Sequence, residues 1–262
     1  MKKFTLLSLA LLAASAFSGP IGTWMLTDGD AGMDAMIQGA NVNTYAQGAS
    51  TNLQYAIAWN SNYLGGTFMT VGRDINGLGG VYDLSHTQVD TFTNFSTISG
   101  EHLDGTMDTS RNITYASNFS TGDVVRYNDQ YFNGPVSSIY NAGSFALWTI
   151  TYNAQRDSLY LGGANGAVTE IDINGNVVNS FSVNDGTIRS LAYDPNDASL
   201  WYLTNNGAEI VQMDALGLEL ARETVNLGGN YWGGEIAAVP EPATFVALGL
   251  GVAALAFARR RK

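Results

Sequence analysis

Two stretches carry the fold. Trp148-Thr-Ile-Thr-Tyr-Asn-Ala-Gln-Arg-Asp-Ser-Leu-Tyr-Leu161 is followed by Gly166-Ala-Val-Thr-Glu-Ile-Asp-Ile-Asn-Gly175. The pattern returns in Arg189-Ser-Leu-Ala-Tyr-Asp-Pro-Asn-Asp-Ala-Ser-Leu-Trp-Tyr-Leu203 and Ala208-Glu-Ile-Val-Gln-Met-Asp-Ala-Leu-Gly217. Each copy reads as a strand, a polar turn, an aromatic strand, a Gly-containing turn, a strand ending in Asp, a turn and a last strand. Asp172 and Asp214 lie 42 positions apart, Asn128 lies 44 before Asp172, and Asp83 lies 45 before Asn128. A period of that size is the length of one four-stranded propeller blade, roughly 40–45 residues.

Working outward, four units emerge at about 53–97, 103–140, 146–184 and 187–225. Residues 21–45 resemble a blade without its inner strand, and residues 232–239 an inner strand without a blade. Joined, they make a fifth blade. That closure ties the two ends of the body together and removes the open edge of a sheet. Asn-Gly pairs at 76–77, 133–134, 165–166, 174–175 and 206–207 supply the tight turns. The expected class is therefore all-β, a propeller of about five four-stranded blades. The β-sandwich is the competing arrangement, since it also shows short strands at regular spacing. The degenerate blades resemble the loose YVTN- or NHL-like β-propellers.

The two ends read differently from the body. Lys2 and Lys3, the apolar run Phe4 to Ala14 and Ala14-Ser15-Ala16 have the order of a secretory signal peptide, with cleavage after Ala16. At the other end Pro240-Glu241-Pro242 precedes an uncharged run, Ala243 to Ala258, and then Arg259, Arg260, Arg261 and Lys262. As a helix that run covers about 24 Å, just short of a bilayer core of roughly 30 Å. The terminal cations stop transfer and keep the C-terminus cytoplasmic. The expected segments are a signal helix at 1–16, the body at 17–239, and a sorting tail with one transmembrane helix at 240–262. The tail resembles the PEP-CTERM sorting signal of Gram-negative bacteria. The resemblance implies export by the Sec machinery, a transient anchor in the inner membrane and processing by an exosortase. It implies release to the cell surface or an exopolysaccharide matrix.

Charge narrows the partners. Two of the 12 basic residues lie in the leader and four in the tail, and one of the 23 acidic residues lies in the sorting motif. The body keeps six arginines, no lysine and 22 acidic residues, a net charge of −16. Such a surface repels nucleic acid and anionic lipid. No cysteine is present, which excludes thiol catalysis and thiolate metal sites. His86 and His102 have no partner at zinc-ligand spacing and read as exposed loop or strand residues.

Candidate chemistry is sparse. Asp172-Ile-Asn-Gly-Asn176, Asp28-Gly-Asp30 and Asp194-Pro-Asn-Asp197 are rich enough in oxygen for Ca²⁺. They lack the spacing and closing Glu of a calcium loop and read more simply as turns. Glu101, Asp104, Asp108 and Glu235 fall near the innermost strands, where a glycosidase would place its carboxyl pair. No local motif singles any of them out, and no nucleophile elbow or phosphate loop occurs. Trp24, Trp59, Trp148, Trp201 and Trp232 read as about one per blade, a spacing that favours blade-to-blade packing over sugar stacking. The expectation is a non-enzymatic surface or matrix protein that binds exopolysaccharide or surface proteins, with no bound cofactor. A carbohydrate-active propeller and a Ca²⁺-dependent adhesion protein are the alternatives.

Overall fold

The structure is a computed structural model; it describes residues 19–48, 53–73, 76–95, 101–130, 132, 136–204 and 207–238. The signal peptide, Pro240-Glu241-Pro242, the apolar run and the basic end lie outside the described residues. Among the described residues no helix is long and apolar enough to cross a membrane.

Numbered in chain order, β1 to β3 are Thr23–Asp28, Met33–Gln38 and Asn41–Ala46, and β4 to β7 are Gln54–Asn60, Thr67–Gly72, Asn76–Tyr82 and Gln88–Phe95. β8 to β11 are His102–Asp108, Ile113–Asn118, Asp123–Tyr127 and Val136–Asn141, and β12 to β15 are Leu147–Asn153, Ser158–Gly163, Ala167–Asp172 and Val177–Ser182. β16 to β19 are Arg189–Asp194, Ser199–Leu203, Glu209–Met213 and Glu219–Thr224, and β20 is Gly233–Ala237. They form five antiparallel sheets of four strands, β4–β7, β8–β11, β12–β15, β16–β19 and β20-β1-β2-β3, here blades I to V. β4, β8, β12, β16 and β20 lie side by side in that order, and β20 adjoins β4. That closed ring is a five-bladed propeller, and it excludes the sandwich. The blade limits read from the repeat agree with the sheets to within a few residues.

Blade V forms as the two leftovers required. β20 pairs with β1 in the register Thr23↔Ala237, Trp24↔Ile236 and Met25↔Glu235. The last strand of the body thus becomes the innermost strand of the first blade. It ends at Ala237, two residues before the Val239 that leads into Pro240.

The core is partitioned by the ring. Five apolar clusters fill the five seams between neighbouring blades. In the seam of blades I and II, Ala58, Met69 and Val81 meet Met107, Val125 and Tyr127. In the seam of IV and V, Trp201 packs on Trp24 with ring centroids 6.5 Å apart. Both faces of most inner and second strands are buried, which explains apolar runs without clean alternation.

The Asp repeat has a physical cause. The Oδ1 atoms of Asp83, Asp172 and Asp214 each accept amides two and four residues on, at 2.8 to 2.9 Å, and so shape the hairpin between third and fourth strands. Three residues after each Asp the chain takes a left-handed conformation: Gly175 and Gly217 at φ 89°, and His86 at φ 60°. Asn128, at the matching place in blade II, accepts Arg126 Nε at 3.2 Å instead.

Candidate axial binding site

A second repeat builds one mouth of the axis. Each of the first four inner strands ends in Asn or Asp: Asn60, Asp108, Asn153 and Asp194. Each side chain accepts the amide two residues on, at 2.9 to 3.0 Å, and turns the chain out of the ring. The residue before each cap is large: Trp59, Met107, Tyr152 and Tyr193. All four of these line one cavity of about 510 Å³, together with Glu235 of the closing strand. That volume is in the range of ligand pockets, roughly 300–1,000 Å³.

Three residues of the cavity lining each carry a buried polar atom with no hydrogen-bond partner among the described residues: Trp59 Nε1, Tyr193 Oη and Glu235 Oε2. They come from three inner strands of three blades. Buried polar atoms are nearly always paired, and leaving one unpaired costs about 1–3 kcal/mol. Burial, with the charges of Asp194 and Asp197, pushes the Tyr193 hydroxyl up to about 12, so it stays a neutral donor and acceptor.

The four candidate carboxylates separate into distinct roles. Asp104, on β8, is fully buried and accepts Gly105 N at 2.8 Å and Gly234 N at 3.0 Å through Oδ1. Its Oδ2 accepts Ile150 N at 3.1 Å and the Thr149 hydroxyl. It therefore ties β8 to β12 and, across the axis, to β20. Hydroxyls continue the tie from blade to blade: Thr106 accepts Tyr152 N, Thr149 accepts Leu191 N and Thr151 accepts Tyr193 N, at 2.7 to 3.0 Å. Asp108 is the blade II cap; it holds Ser110 and the Arg111 guanidinium, which also grips Asp157 of blade III through two bonds of 2.6 and 2.7 Å. Glu101 pairs with Arg73 at 2.5 Å. Glu235 alone of the four has a buried oxygen with no partner.

Burial is the largest influence on both Asp104 and Glu235 and pushes both well above the usual carboxylate range. On Asp104 four donors oppose that rise. On Glu235 the Thr106 hydroxyl opposes it, and the Asp104 charge adds to it.

The opposite mouth, at the starts of the inner strands, is aromatic. Trp148 stacks on Trp232 with centroids 5.2 Å apart, and the Arg189 guanidinium lies 4.0 Å from the Trp232 ring centroid. Burial pulls the Arg189 pKa down from its ordinary value, and its Nη1 donates to Asn230 Oδ1 at 2.7 Å. Asp30 accepts the Tyr55 hydroxyl at 2.5 Å and Trp232 Nε1 at 3.1 Å.

Several expectations are corrected. The tryptophans are not one per blade: blade II has none, and Trp24 and Trp232 both belong to blade V. Trp24 and Trp201 pack between blades, whereas Trp59 lines the cavity and Trp148 and Trp232 lie half-buried at the other mouth. Neither histidine is an exposed side chain. His102 is fully buried, with Nε2 3.0 Å from the Tyr127 hydroxyl. The His86 ring is 5% exposed, stacks on Tyr45 and Tyr82 and bonds Asp34 Oδ2 at 2.7 Å. Both partners lie far along the chain, so local polarity misleads.

The oxygen-rich turns engage backbone amides, near and distant. Asp28 accepts Ala31 N and Asn230 N, and Asp194 accepts Ile21 N and Gly22 N besides its cap. Among the described residues no group of three His, Asp or Glu side chains could hold a metal ion.

Residues 238–262 match the PEP-CTERM protein-sorting motif. The match begins one residue after β20 ends and covers the tail, not the propeller. It implies an exported exosortase substrate with a C-terminal membrane-anchor sorting signal. No curated protein matches the chain. The fold is similar to 1304 chains of known structure, too many for the fold to point to an activity. One, described as the crystal structure of a nidogen/laminin complex, aligns with a TM-score of 0.56 at 11% identity over 82% of this chain and 98% of that one. The likeness is one of fold.

Proposed function

We propose that this exported, exosortase-processed protein is a non-enzymatic component of the cell surface or extracellular matrix, and that its axial cavity binds a glycan of the exopolysaccharide. The observation that carries this reading is an axial cavity of about 510 Å³ lined by Trp59, Tyr152 and Tyr193, with Asp108 and Glu235 among its polar residues. Sugars offer hydroxyls that both donate and accept, and apolar ring faces that suit Trp and Tyr. A cavity lined by aromatic side chains with a few polar groups is the usual form of a small-ligand site.

The non-enzymatic part rests on the carboxylates. Glycoside hydrolysis in most families needs two carboxyl groups free to act on one bond. Asp104 and Asp108 both spend their oxygens on neighbouring amides and side chains, which leaves Glu235 without a second. One feature favours the enzyme alternative: burial pushes the Glu235 carboxyl, in the cavity lining, well above the usual carboxylate range, the direction in which a general acid is tuned.

A glycan array run together with a hydrolysis assay on the exported protein decides between them. The expected result is binding without product, weakened at least tenfold by Trp59→Ala, in keeping with the roughly 1–3 kcal/mol of an aromatic stack. Retention of no glycan sinks the proposal. Sugar release that Glu235→Gln abolishes converts it to the enzyme.

A further inference from the structure

Resting on the membrane-anchor reading of the tail, we infer that the propeller end where the inner strands finish is a lipid-facing surface. While the tail is uncut, the exposed aliphatic side chains of this end enter the headgroup region of a bilayer of zwitterionic lipid. The ends of all five inner strands meet at the axial cavity, since Trp59, Met107, Tyr152, Tyr193 and Ile236 line it. Each blade is antiparallel and ordered outward from its inner strand. The connections from first to second strand, and from third to fourth, therefore fall at this same end. Ala238, the residue after β20, also lines the cavity. The chain thus leaves the body near the axis, at this end.

Covalent reach limits the orientation. Five residues lead from Ala238 to Ala243, where the apolar run of the tail begins. Five residues span at most about 18 Å. To set the opposite end on the bilayer, the link would first cross three strand spacings to the rim of blade V, about 14 Å. It would then pass along the length of a strand, about 20 Å more. That path is out of reach. A body lying on its side is within reach, and the exposed side chains decide between side and end.

Ile21, Leu64, Leu84, Val177, Leu216 and Leu218 are 43% to 67% exposed, and all lie in or beside connections of this end. Ile21 is placed there by its amide, which donates to Asp194 at the end of β16. The second residues of β3, β7, β15 and β19, one step inward, are exposed valines or leucine as well. Among the described residues the opposite end exposes Leu53 and Phe145, at the starts of β4 and β12. Leu64 holds φ at 48°, a conformation that suits Gly or Asn, and it gains little burial there. The fold does not account for a leucine at that place.

The six side chains are spread over blades I, III, IV and V. That spread suits a flat, deformable surface better than one docked segment. A second copy would bring its own net charge of −16 against this one. The same charge repels anionic lipid, which leaves zwitterionic lipid, where attachment grows with the apolar area buried. Aspartates of the hairpins at this end, Asp83, Asp172 and Asp214, spend their Oδ1 atoms on backbone amides.

The chain has no cysteine, so single labels can be placed cleanly. Val177→Cys and Phe145→Cys, each carrying a polarity-sensitive fluorophore, are made in the full chain. The chain is reconstituted in phosphatidylcholine vesicles that contain a lipid spin-labelled at the headgroup. The label at 177 is expected to shift to the blue and to be quenched. The label at 145, about 20 Å further along the axis, should do neither. Leu64→Ser, Leu216→Ser and Leu218→Ser together should bring quenching at 177 down to the level at 145, with the melting temperature read alongside. Equal quenching at both positions, or quenching at neither, overturns the inference. A blue shift at 177 without quenching overturns it in favour of a second copy. A chain that does not float with the vesicles overturns it together with the anchor reading beneath it.

Discussion

Asp104 and Glu235 are both buried carboxyls beside the axis, and they should respond to neutralisation in opposite ways. Asp104 accepts four hydrogen bonds, two on each oxygen, from three inner strands. Asp104→Asn keeps one oxygen and replaces the other with an NH₂ group. Two former donors then face a donor. Each buried group left unsatisfied costs about 1–3 kcal/mol, or about 2–6 kcal/mol for the pair. Relief from burying a charge offsets part of this, so the expected loss is about 3 kcal/mol, out of a total stability of roughly 5–15 kcal/mol for a folded domain. In a body of this size that loss lowers Tm by roughly 6–12 °C. Glu235→Gln removes a charge that burial and the Asp104 carboxylate both disfavour. Its change should stay within about 1 kcal/mol of zero or be stabilising. Urea titration and thermal melts of the two variants beside the parent measure both quantities. A loss below about 1 kcal/mol for Asp104→Asn, or a larger loss for Glu235→Gln than for Asp104→Asn, would refute the assignment of Asp104 as the tie and Glu235 as the uncommitted group.

Further outcomes follow from the same geometry. Glu235 sits above its ordinary value of 4.5 in the folded protein, so the stability it contributes is complete below that pH and is lost as pH rises through the folded value. Relative to Glu235→Gln, the parent should therefore lose stability as pH rises above 4.5; a difference that stays constant across a pH series of melts contradicts the shift. His86 occupies the left-handed turn position that glycine fills in two other blades, yet it bonds the buried Asp34. His86→Gly should lower stability by about 1–3 kcal/mol despite the easier backbone, because Asp34 is left with Gln47 as its side-chain partner; a rise in Tm would show that turn strain outweighs the pair. For the tail, Pro240→Ala with Pro242→Ala should leave the full-length chain in the membrane fraction on immunoblots, and normal processing would argue against sorting through that motif.

The fold was legible because its repeat is chemical as well as numerical. Asp83, Asp172 and Asp214 recur because each accepts two amides of its own hairpin, a local event that sequence spacing records faithfully. Closure of the ring was legible from the missing inner strand at 21–45 and the spare one at 232–239. β20 ends at Ala237, so only Ala238 and Val239 separate it in sequence from Pro240.

The site was only half legible. Glu235 and Asp104 stood among four equivalent carboxylates, and what separates them is pairing across the axis. Asp104 meets Gly234, 130 residues away, and no window of sequence contains both. The same holds for His86 with Asp34 and for His102 with Tyr127, whose burial is made by distant partners. A usable signal for the cavity was nevertheless present. Trp59-Asn60, Met107-Asp108, Tyr152-Asn153 and Tyr193-Asp194 form a second repeat, a large residue followed by a turn cap at the end of each inner strand. Read with the first repeat, it places three aromatic side chains at one mouth of the axis.

The most direct test of the account is a crystal structure of the protein with the glycan that an array ranks highest. The account predicts sugar density in the axial cavity, against the side chains of Trp59, Tyr152 and Tyr193. Density against Trp148 and Trp232 at the opposite mouth, with the cavity holding no sugar, would contradict it.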